Sequence, residues 1–366
     1  MKRFDRRDWL KTAGLGALGA GTALASTGCG TTETKLDLAR VKVSPEREIR
    51  TTVGLRPFRP SGFRVETETL DQKTVVHNYG HGGSGMSLSW GSSHMAVELA
   101  RAAGSGPFAI IGCGVMGLSC GRLLQKHGHE VTIYSKELPP ANTSSMSAAW
   151  WSPGAAADPG ERTPEYDGAL VKAQRFANRY FQNYLGDDYG VHWRRRFNVS
   201  EDPIRAGSSL IGDLFPETRD LAPDAHPFPW PYVQQSWTMV IEPPRYLNHL
   251  LQDFRLAGGK VVVRAFNDRD EVLGLAEPII LNCSGLGARE LFEDESLTPI
   301  KGQLTVLLPQ PELDYMMVGG GLYMIPRADG VVLGATHERG EWSLEPSRNE
   351  ANRVMEGHID FWSRMA

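Results

Sequence analysis

The sequence predicts an α/β fold in which a Rossmann-like parallel sheet is interleaved with a second, mixed and largely antiparallel sheet. Three observations carry that prediction. Phe108-Ala109-Ile110-Ile111 reads as a buried strand and runs into Gly112-Cys113-Gly114-Val115-Met116-Gly117. A helix with Leu118, Leu123 and Leu124 follows, closed by Gly128, and then the strand Val131-Thr132-Ile133-Tyr134. In that setting the first glycine makes a tight turn, the second lets the backbone approach a pyrophosphate, and the third packs helix on strand. Further on, residues 303–308, 321–325 and 331–333 alternate like antiparallel strands. Finally, a glycine-rich run from His77 to Gly85 stands before the nucleotide loop.

Composition sets loose bounds. The 366 residues can hold two intimately packed domains with ample core. Charged residues at 22% and a formal charge of -4 describe an ordinary globular chain with no electrostatic call for nucleic acid. The nine tryptophans, Trp150-Trp151 and the close pair Trp230 and Trp237 among them, suggest aromatics packed around an apolar pocket. The four cysteines have no metal-ligand spacing, and Cys113, Cys120 and Cys283 read as buried thiols.

At the N-terminus, Asp5-Arg6-Arg7-Asp8-Trp9-Leu10-Lys11 and the Gly/Ala run after it resemble a twin-arginine export signal. Ala23-Leu24-Ala25 fits signal peptidase, and Ser26-Thr27-Gly28-Cys29 is a lipobox without its usual Leu, so cleavage and lipid anchoring both stay open. The reading places the protein in the periplasm or cell envelope. Residues 30–46 are polar and read as a linker. Ile49, Thr51 and Val53 alternate as a strand that ends at Gly54, and Pro57 and Pro60 then fix an extended, rigid turn. Thr74-Val75-Val76 is a short strand. The helix after the glycine run places Met95, Leu99 and Ala103 on one face with Ala96 and Ala100 beside them, and Gly104-Ser105-Gly106 ends it as an exposed join. Helices are predicted over 165–186 and over 244–257, where Leu247, Leu250, Leu251 and Phe254 follow helical spacing. Val261 to Val263 and Ile279 to Leu281 read as further parallel strands, and a last helix starts near Pro346.

His77-Asn78-Tyr79-Gly80-His81-Gly82-Gly83-Ser84-Gly85, running on to Trp90-Gly91, resembles the C-terminal flavin signature of the D-amino-acid oxidase family. In that family the signature comes last; here it precedes the nucleotide loop. The chain therefore resembles a circularly permuted member, with a Rossmann-like FAD-binding sheet and a substrate domain. The implied divisions are leader 1–28, linker 29–46, a permuted substrate-domain segment 47–72, FAD-binding parts 73–164 (joined through 104–106) and 243–295, and substrate-domain parts 165–242 and 296–366. The permutation also implies that the C-terminal helix lies beside the strand beginning near Arg47.

The resemblance implies FAD as cofactor and assigns its contacts. Gly112, Cys113, Gly114, Val115, Met116 and Gly117 form the phosphate loop, and the helix N-terminus behind them favours the phosphates. Glu137, after Lys136, is the candidate for the ribose. Thr143, Ser144, Ala148, Ala149 and Trp150 belong to a second flavin loop, and Ser284 to the strand end that closes over the ring. Gly82, Gly83, Ser84, Gly85, Met86 and Ser87 aim a helix N-terminus at the pyrimidine, where a reduced flavin carries negative charge. Gly54-Leu55-Arg56-Pro57-Phe58-Arg59-Pro60 is similar to the family's G-x-R-P-x-R-P run, whose first arginine holds the substrate carboxylate. Tyr323 resembles the tyrosine that shares this task, and the carbonyl of Gly83 receives the substrate amine. Arg59 supports the site, and His77 and His81 are structural, so no metal is expected. Ser152 and His337 stand at positions that face the substrate. Where vertebrate enzymes have a lid tyrosine this chain has Gly319 in Gly319-Gly320-Gly321, which implies a shortened or remade lid.

The implied reaction is oxidative deamination of a D-amino acid by hydride transfer to flavin, giving a 2-oxo acid and ammonia, with oxygen reduced to hydrogen peroxide. Two other readings stay open from the sequence: a dehydrogenase that passes electrons to another acceptor, and an exported flavin-binding protein without turnover.

Overall fold

The computed structural model describes residues 35–154, 156–204 and 210–366. The leader, including Cys29, lies outside the described residues. Two sheets organise the rest. The smaller has the order β2 (Arg64–Leu70), β3 (Lys73–Tyr79), β10 (Ile279–Asn282), β4 (Phe108–Ile111), β5 (Val131–Ser135), β9 (Lys260–Val263). All its strands are parallel except β2, which pairs antiparallel with β3 at one edge. β4 and β10 are buried at every residue, as unbroken apolar runs in a covered parallel sheet should be.

Helices cover this sheet. α1 (Gly85–Ala103) packs on α2 (Val115–Lys126) and α3 (Pro164–Phe181). The α1–α3 approach is very close: a Cβ on Gly91 would lie 2.0 Å from the Ala173 carbonyl oxygen. α4 (Pro243–Leu256) begins at two prolines and buries Leu247, Leu250, Leu251 and Phe254 against α2. Two short helices, α5 (Arg269–Leu273) and α6 (Ala288–Leu291), flank β10 in the chain.

The larger sheet has the order β1 (Glu48–Phe58), β11 (Thr298–Leu307), β14 (Gly330–Gly334), β13 (Leu322–Arg327), β12 (Tyr315–Gly319), β6 (Val191–Ser200), β8 (Tyr232–Ile241), β7 (Arg219–Leu221), with β15 (Glu338–Arg339) also on β11. One face carries Met324, Leu333 and Met317 into a core with Phe361 and Trp362 of α7 (Arg348–Ser363). The other turns Tyr323, Ile325, Val332 and Met316 towards Trp150. Period-two alternation thus separates a face packed on α7 from a face that receives Ala148 and Trp150.

The structure corrects several expectations. The strand that starts near Ile49 continues to Phe58, with Pro57 opposite Pro299. β1 lies at the sheet edge, where a proline costs no interior ladder bond. The 47–72 segment is divided, because β2 joins the smaller sheet. The 29–46 linker is packed from residue 35 onward: Leu38 and Val41 are buried in the core that holds Phe361, Trp362 and Met365. In α1 the buried positions of the second half are Ala96, Val97 and Ala100, while Leu99 is exposed. Leu99 falls on the side that α2 and α3 leave bare, and small residues suit the covered side. Trp230 packs on Phe361 and Trp237 donates to Glu217, so neither lines the pocket expected of them.

Both described ends of the chain meet one short segment. The Leu36 N–H donates to the Ala225 carbonyl, and the Ala366 N–H to that of Pro227, each at 2.9 Å. Arg40 also donates to the Met365 carbonyl. Gly104 and Gly106 are half-buried and Ser105 is exposed.

Candidate active site

The glycine loop leaves β4 in the crevice beside β10, where neighbouring strands connect in opposite directions; ligands of open α/β sheets bind at such points. Gly112 has φ +104, and a Cβ there would lie 2.5 Å from the Cys283 carbonyl oxygen. A Cβ on Gly117 would lie 1.9 Å from the Gly112 carbonyl oxygen. No larger residue fits either place. The 142–150 loop docks on the N-terminus of α2: the Val115 N–H donates to Ser144 Oγ at 3.0 Å, and the Asn142 amide donates to the Cys113 carbonyl at 2.8 Å. The Cys113 N–H donates to Ser135 Oγ at 3.1 Å.

These elements surround a cavity of about 860 Å³. It is lined by Arg56, Tyr323 and Gly83; by Gly82, Ser84, Gly85, Met86 and Ser87; by Gly112 to Met116; by Lys136, Glu137, Thr143, Ser144, Ala148, Ala149 and Trp150; and by Ser152, Ser284 and His337. Of the residues singled out from the sequence, Gly117 does not line it and serves helix packing. Arg59 also stands outside, paired with Asp294 at 2.9 Å and bonded to Ser296 and the Gly62 carbonyl. Glu137 and His337 are exposed at the cavity wall, whereas Ser152 is half-buried and its N–H donates to Ser87 Oγ at 2.9 Å.

Arg56 and Tyr323 come from opposite ends of the chain. Arg56, on β1, donates to the carbonyls of Thr336 at 3.3 Å and Lys301 at 3.5 Å, and it has no ion-pair partner among the described residues. Its guanidinium lies over Gly302 of β11, where a Cβ would come within 2.3 Å of Nη2. Tyr323 lies over Gly334 in the same manner, with a Cβ there 2.2 Å from Cζ. Burial pushes the Tyr323 hydroxyl up to about 12, against an opposing pull from the Arg56 charge, so it stays protonated and able to donate at neutral pH. Trp150 tilts over the Tyr323 ring at 5.0 Å, and its buried indole N–H has no partner among the described residues.

The two histidines of the glycine-rich run lie in the frame of the site. His77 contacts Glu68 at 3.0 Å and Asn282 at 3.1 Å. His81 contacts Ser92 Oγ at 2.9 Å and stacks on Phe63, and burial lowers its pKa to about 3. The lid position is a two-residue turn: Gly320 and Gly321, at φ +57 and +73, connect β12 directly to β13.

Sequence reasoning missed the wall formed by Arg264, Ala265 and Phe266, and the part formed by Leu304 and Leu344, whereas Trp342, also in the wall, ends the run Gly340-Glu341-Trp342 that resembles a segment of the D-amino-acid oxidase family. The first group had a signal, because it directly follows β9 at the carboxyl end of the parallel sheet. Trp342 and Leu344 are largely exposed and sit in a stretch without regular structure, so no periodicity marks them.

Comparison with known proteins assigns the family. The DAO family, described as FAD dependent oxidoreductase, matches residues 108–364. The chain belongs to this family and is an FAD-dependent oxidoreductase of the D-amino-acid oxidase type. It is 34% identical to a D-amino-acid oxidase of Rubrobacter xylanophilus over 259 residues, covering 67% of this chain and 74% of that protein. It is 29% identical to human D-aspartate oxidase over 261 residues, covering 68% and 73%. The fold is similar to glycine oxidase from Bacillus cereus, with a TM-score of 0.52 at 16% identity over 68% of this chain and 76% of that one. The cavity suits FAD, because its glycine cradle excludes a Cβ and its wall continues from the ends of β5 and β9 to the face of the larger sheet.

Two glycines should therefore be as sensitive as the side chains they seat. Gly302→Ala should displace Arg56 and Gly334→Ala should displace Tyr323, each lowering kcat/KM by about 10–100-fold, the scale of an ångström misplacement. Steady-state kinetics on holoenzyme with an unchanged flavin spectrum checks this; undiminished activity in both would contradict it.

Proposed function

We propose that this protein oxidatively deaminates D-amino acids, with oxygen as acceptor, to 2-oxo acids, ammonia and hydrogen peroxide. The observation that carries the reading is Arg56, a cation without an ion-pair partner among the described residues, in one cavity with Tyr323 and Gly83. A planar guanidinium receives a carboxylate through two parallel hydrogen bonds. The protonated Tyr323 hydroxyl donates a third. Those contacts fix one end of the substrate, and the carbonyl of Gly83 accepts a hydrogen bond from the amine in its neutral form. FAD supplies the two-electron acceptor for the α-hydrogen. Trp150, tilted over Tyr323, walls the space left for the side chain and keeps water from the carboxylate contacts.

We further propose that the chain is a circular permutation of the family's usual order. The family match starts at residue 108, and the relatives with which it aligns over about two thirds of this chain each keep roughly a quarter of their own length unmatched. Residues 47–103 supply two structural parts that this quarter would hold, an arginine-bearing edge strand and a glycine-rich turn into a helix. The shared anchoring of Leu36 and Ala366 on Ala225 and Pro227 fits a junction cut at that point. The export reading rests on residues 5–29 alone; replacing Arg6 and Arg7 by lysine should hold the protein in the cytoplasm on fractionation, and unaltered export would refute it.

The purified protein should be yellow, and one D-amino acid among a panel of D- and L-forms should bleach it without air and yield peroxide with air. Bleaching without peroxide would replace oxygen by another acceptor. Arg56→Ala should keep FAD but weaken carboxylate recognition by about 2–5 kcal/mol, the scale for removing one partner of a buried charged pair. Near-normal efficiency of that variant on every accepted substrate would remove Arg56 from the site.

The permutation has its own test. A rearranged gene encoding 107–366 followed directly by 35–104 should fold, bind FAD and retain activity, because its new junction joins ends already held side by side. Failure of that chain to bind FAD, with the original order binding it, would count against the permuted origin.

A further inference from the structure

His358 is a fully buried, titratable side chain on α7, the helix whose Val354, Phe361 and Trp362 pack into one apolar cluster with Leu333 and Met324 of the larger sheet. Its two nitrogens are both engaged. The Trp362 indole N–H donates to Nδ1 at 3.2 Å, and Nε2 lies 3.3 Å from the Gly334 carbonyl oxygen. An indole nitrogen only donates, so Nδ1 must be the bare nitrogen and Nε2 must carry the proton. The ring is thereby fixed as one neutral tautomer that donates to the sheet. Burial lowers its pKa to about 4, while the carbonyls of Gly334 and Tyr323 pull it back up. A leucine would fill this layer without the cost of burying a polar ring.

The carbonyl it holds belongs to Gly334, the cross-strand partner of Tyr323. The Tyr323 ring lies over Gly334 on the cavity face, whereas α7 packs on the opposite face. α7 also presses close one residue before the tyrosine, where a Cβ on Gly357 would lie 3.1 Å from Leu322. We propose that His358 is a positioning residue: from behind the sheet it pins the Tyr323–Gly334 pair, so that the Tyr323 hydroxyl is held where a substrate carboxylate meets Arg56. Trp362 acts one step further back by dictating the tautomer. This inference rests on Tyr323 being a carboxylate-binding group.

A double-mutant cycle on the holoenzyme tests it. His358→Leu should raise the KM of the preferred D-amino acid, and the Kd of benzoate read from the flavin spectrum, by about tenfold with kcat little changed, and should add less than about twofold in a Tyr323→Phe background. His358→Gln, which keeps a donor and an acceptor, should recover most of the loss. An equal rise in both backgrounds, or no rise, would overturn the proposal. Should His358→Leu fail to fold, nitrogen-15 spectra of the histidines in wild-type holoenzyme decide: the neutral Nε2–H form is expected at pH 7, and an Nδ1–H or charged ring would overturn it. If wild-type protein neither binds benzoate nor oxidises any amino acid, the reading of Tyr323 itself fails, an outcome distinct from an intact site indifferent to His358.

Discussion

The site depends first on the antiparallel ladder between β1 and β11. It runs from Glu48 opposite Leu307 to Phe58 opposite Thr298, and it holds an early segment of the chain against a late one. Everything the early segment contributes hangs from that register. Arg56 reaches the cavity because its guanidinium lies over Gly302, and Phe58 makes a bridge to His81 that aligns the glycine-rich turn. A slip of one residue would turn Arg56 to the other face of the sheet and place a side chain under it. The paired prolines, Pro57 and Pro299, oppose one another, so both missing donors fall in one rung, between the edge strand β1 and the start of β11.

Close approach is the second constraint, and glycine meets it in both sheets. In the smaller sheet Gly112 and Gly117 let the loop backbone and α2 approach the strands closely. In the larger sheet Gly302 and Gly334 let two long polar side chains lie flat across neighbouring strands. The physics is the same in both: a missing Cβ leaves space that a backbone carbonyl, a guanidinium or a phenol occupies. The Gly319-Gly320-Gly321 run has another cause. Its first two residues face the Val199 carbonyl and the Trp230 ring at distances no Cβ tolerates, so the tight turn is set by packing behind it.

Much of this was legible in the sequence because local pattern and chemistry coincide. The strand–loop–helix around Gly112 and the alternation in β11, β13 and β14 need only periods and glycines. The approach of Arg56 to Tyr323 is of another kind, since nothing local links residues 267 positions apart; only the resemblance of their surrounding motifs joined them. What stayed hidden was tertiary. β2 lacks an apolar face of its own and is a strand because β3 offers an edge. Leu38 and Val41 lie in a polar stretch and are buried only because α7 passes there. His358 reads as one polar residue on an amphipathic helix until its two partners are in view.

On the proposed permuted reading, a rearrangement of this chain would cost little. Closing a loop costs entropy that grows only with the logarithm of its length, about 0.6 kcal/mol per doubling. The join at 104–107 is short, partly exposed and rich in glycine, so it imposes little strain on α1 or β4. Away from the join, Leu36 and Ala366 are each held by a backbone hydrogen bond to the segment between β7 and β8. The contacts that place Arg56 and Tyr323 are made by the larger sheet, the Thr336 carbonyl and Trp150, and none of them uses the residues of the 104–107 join. A site assembled from interlocked sheets is therefore indifferent to where the chain begins, provided that the β1–β11 ladder forms.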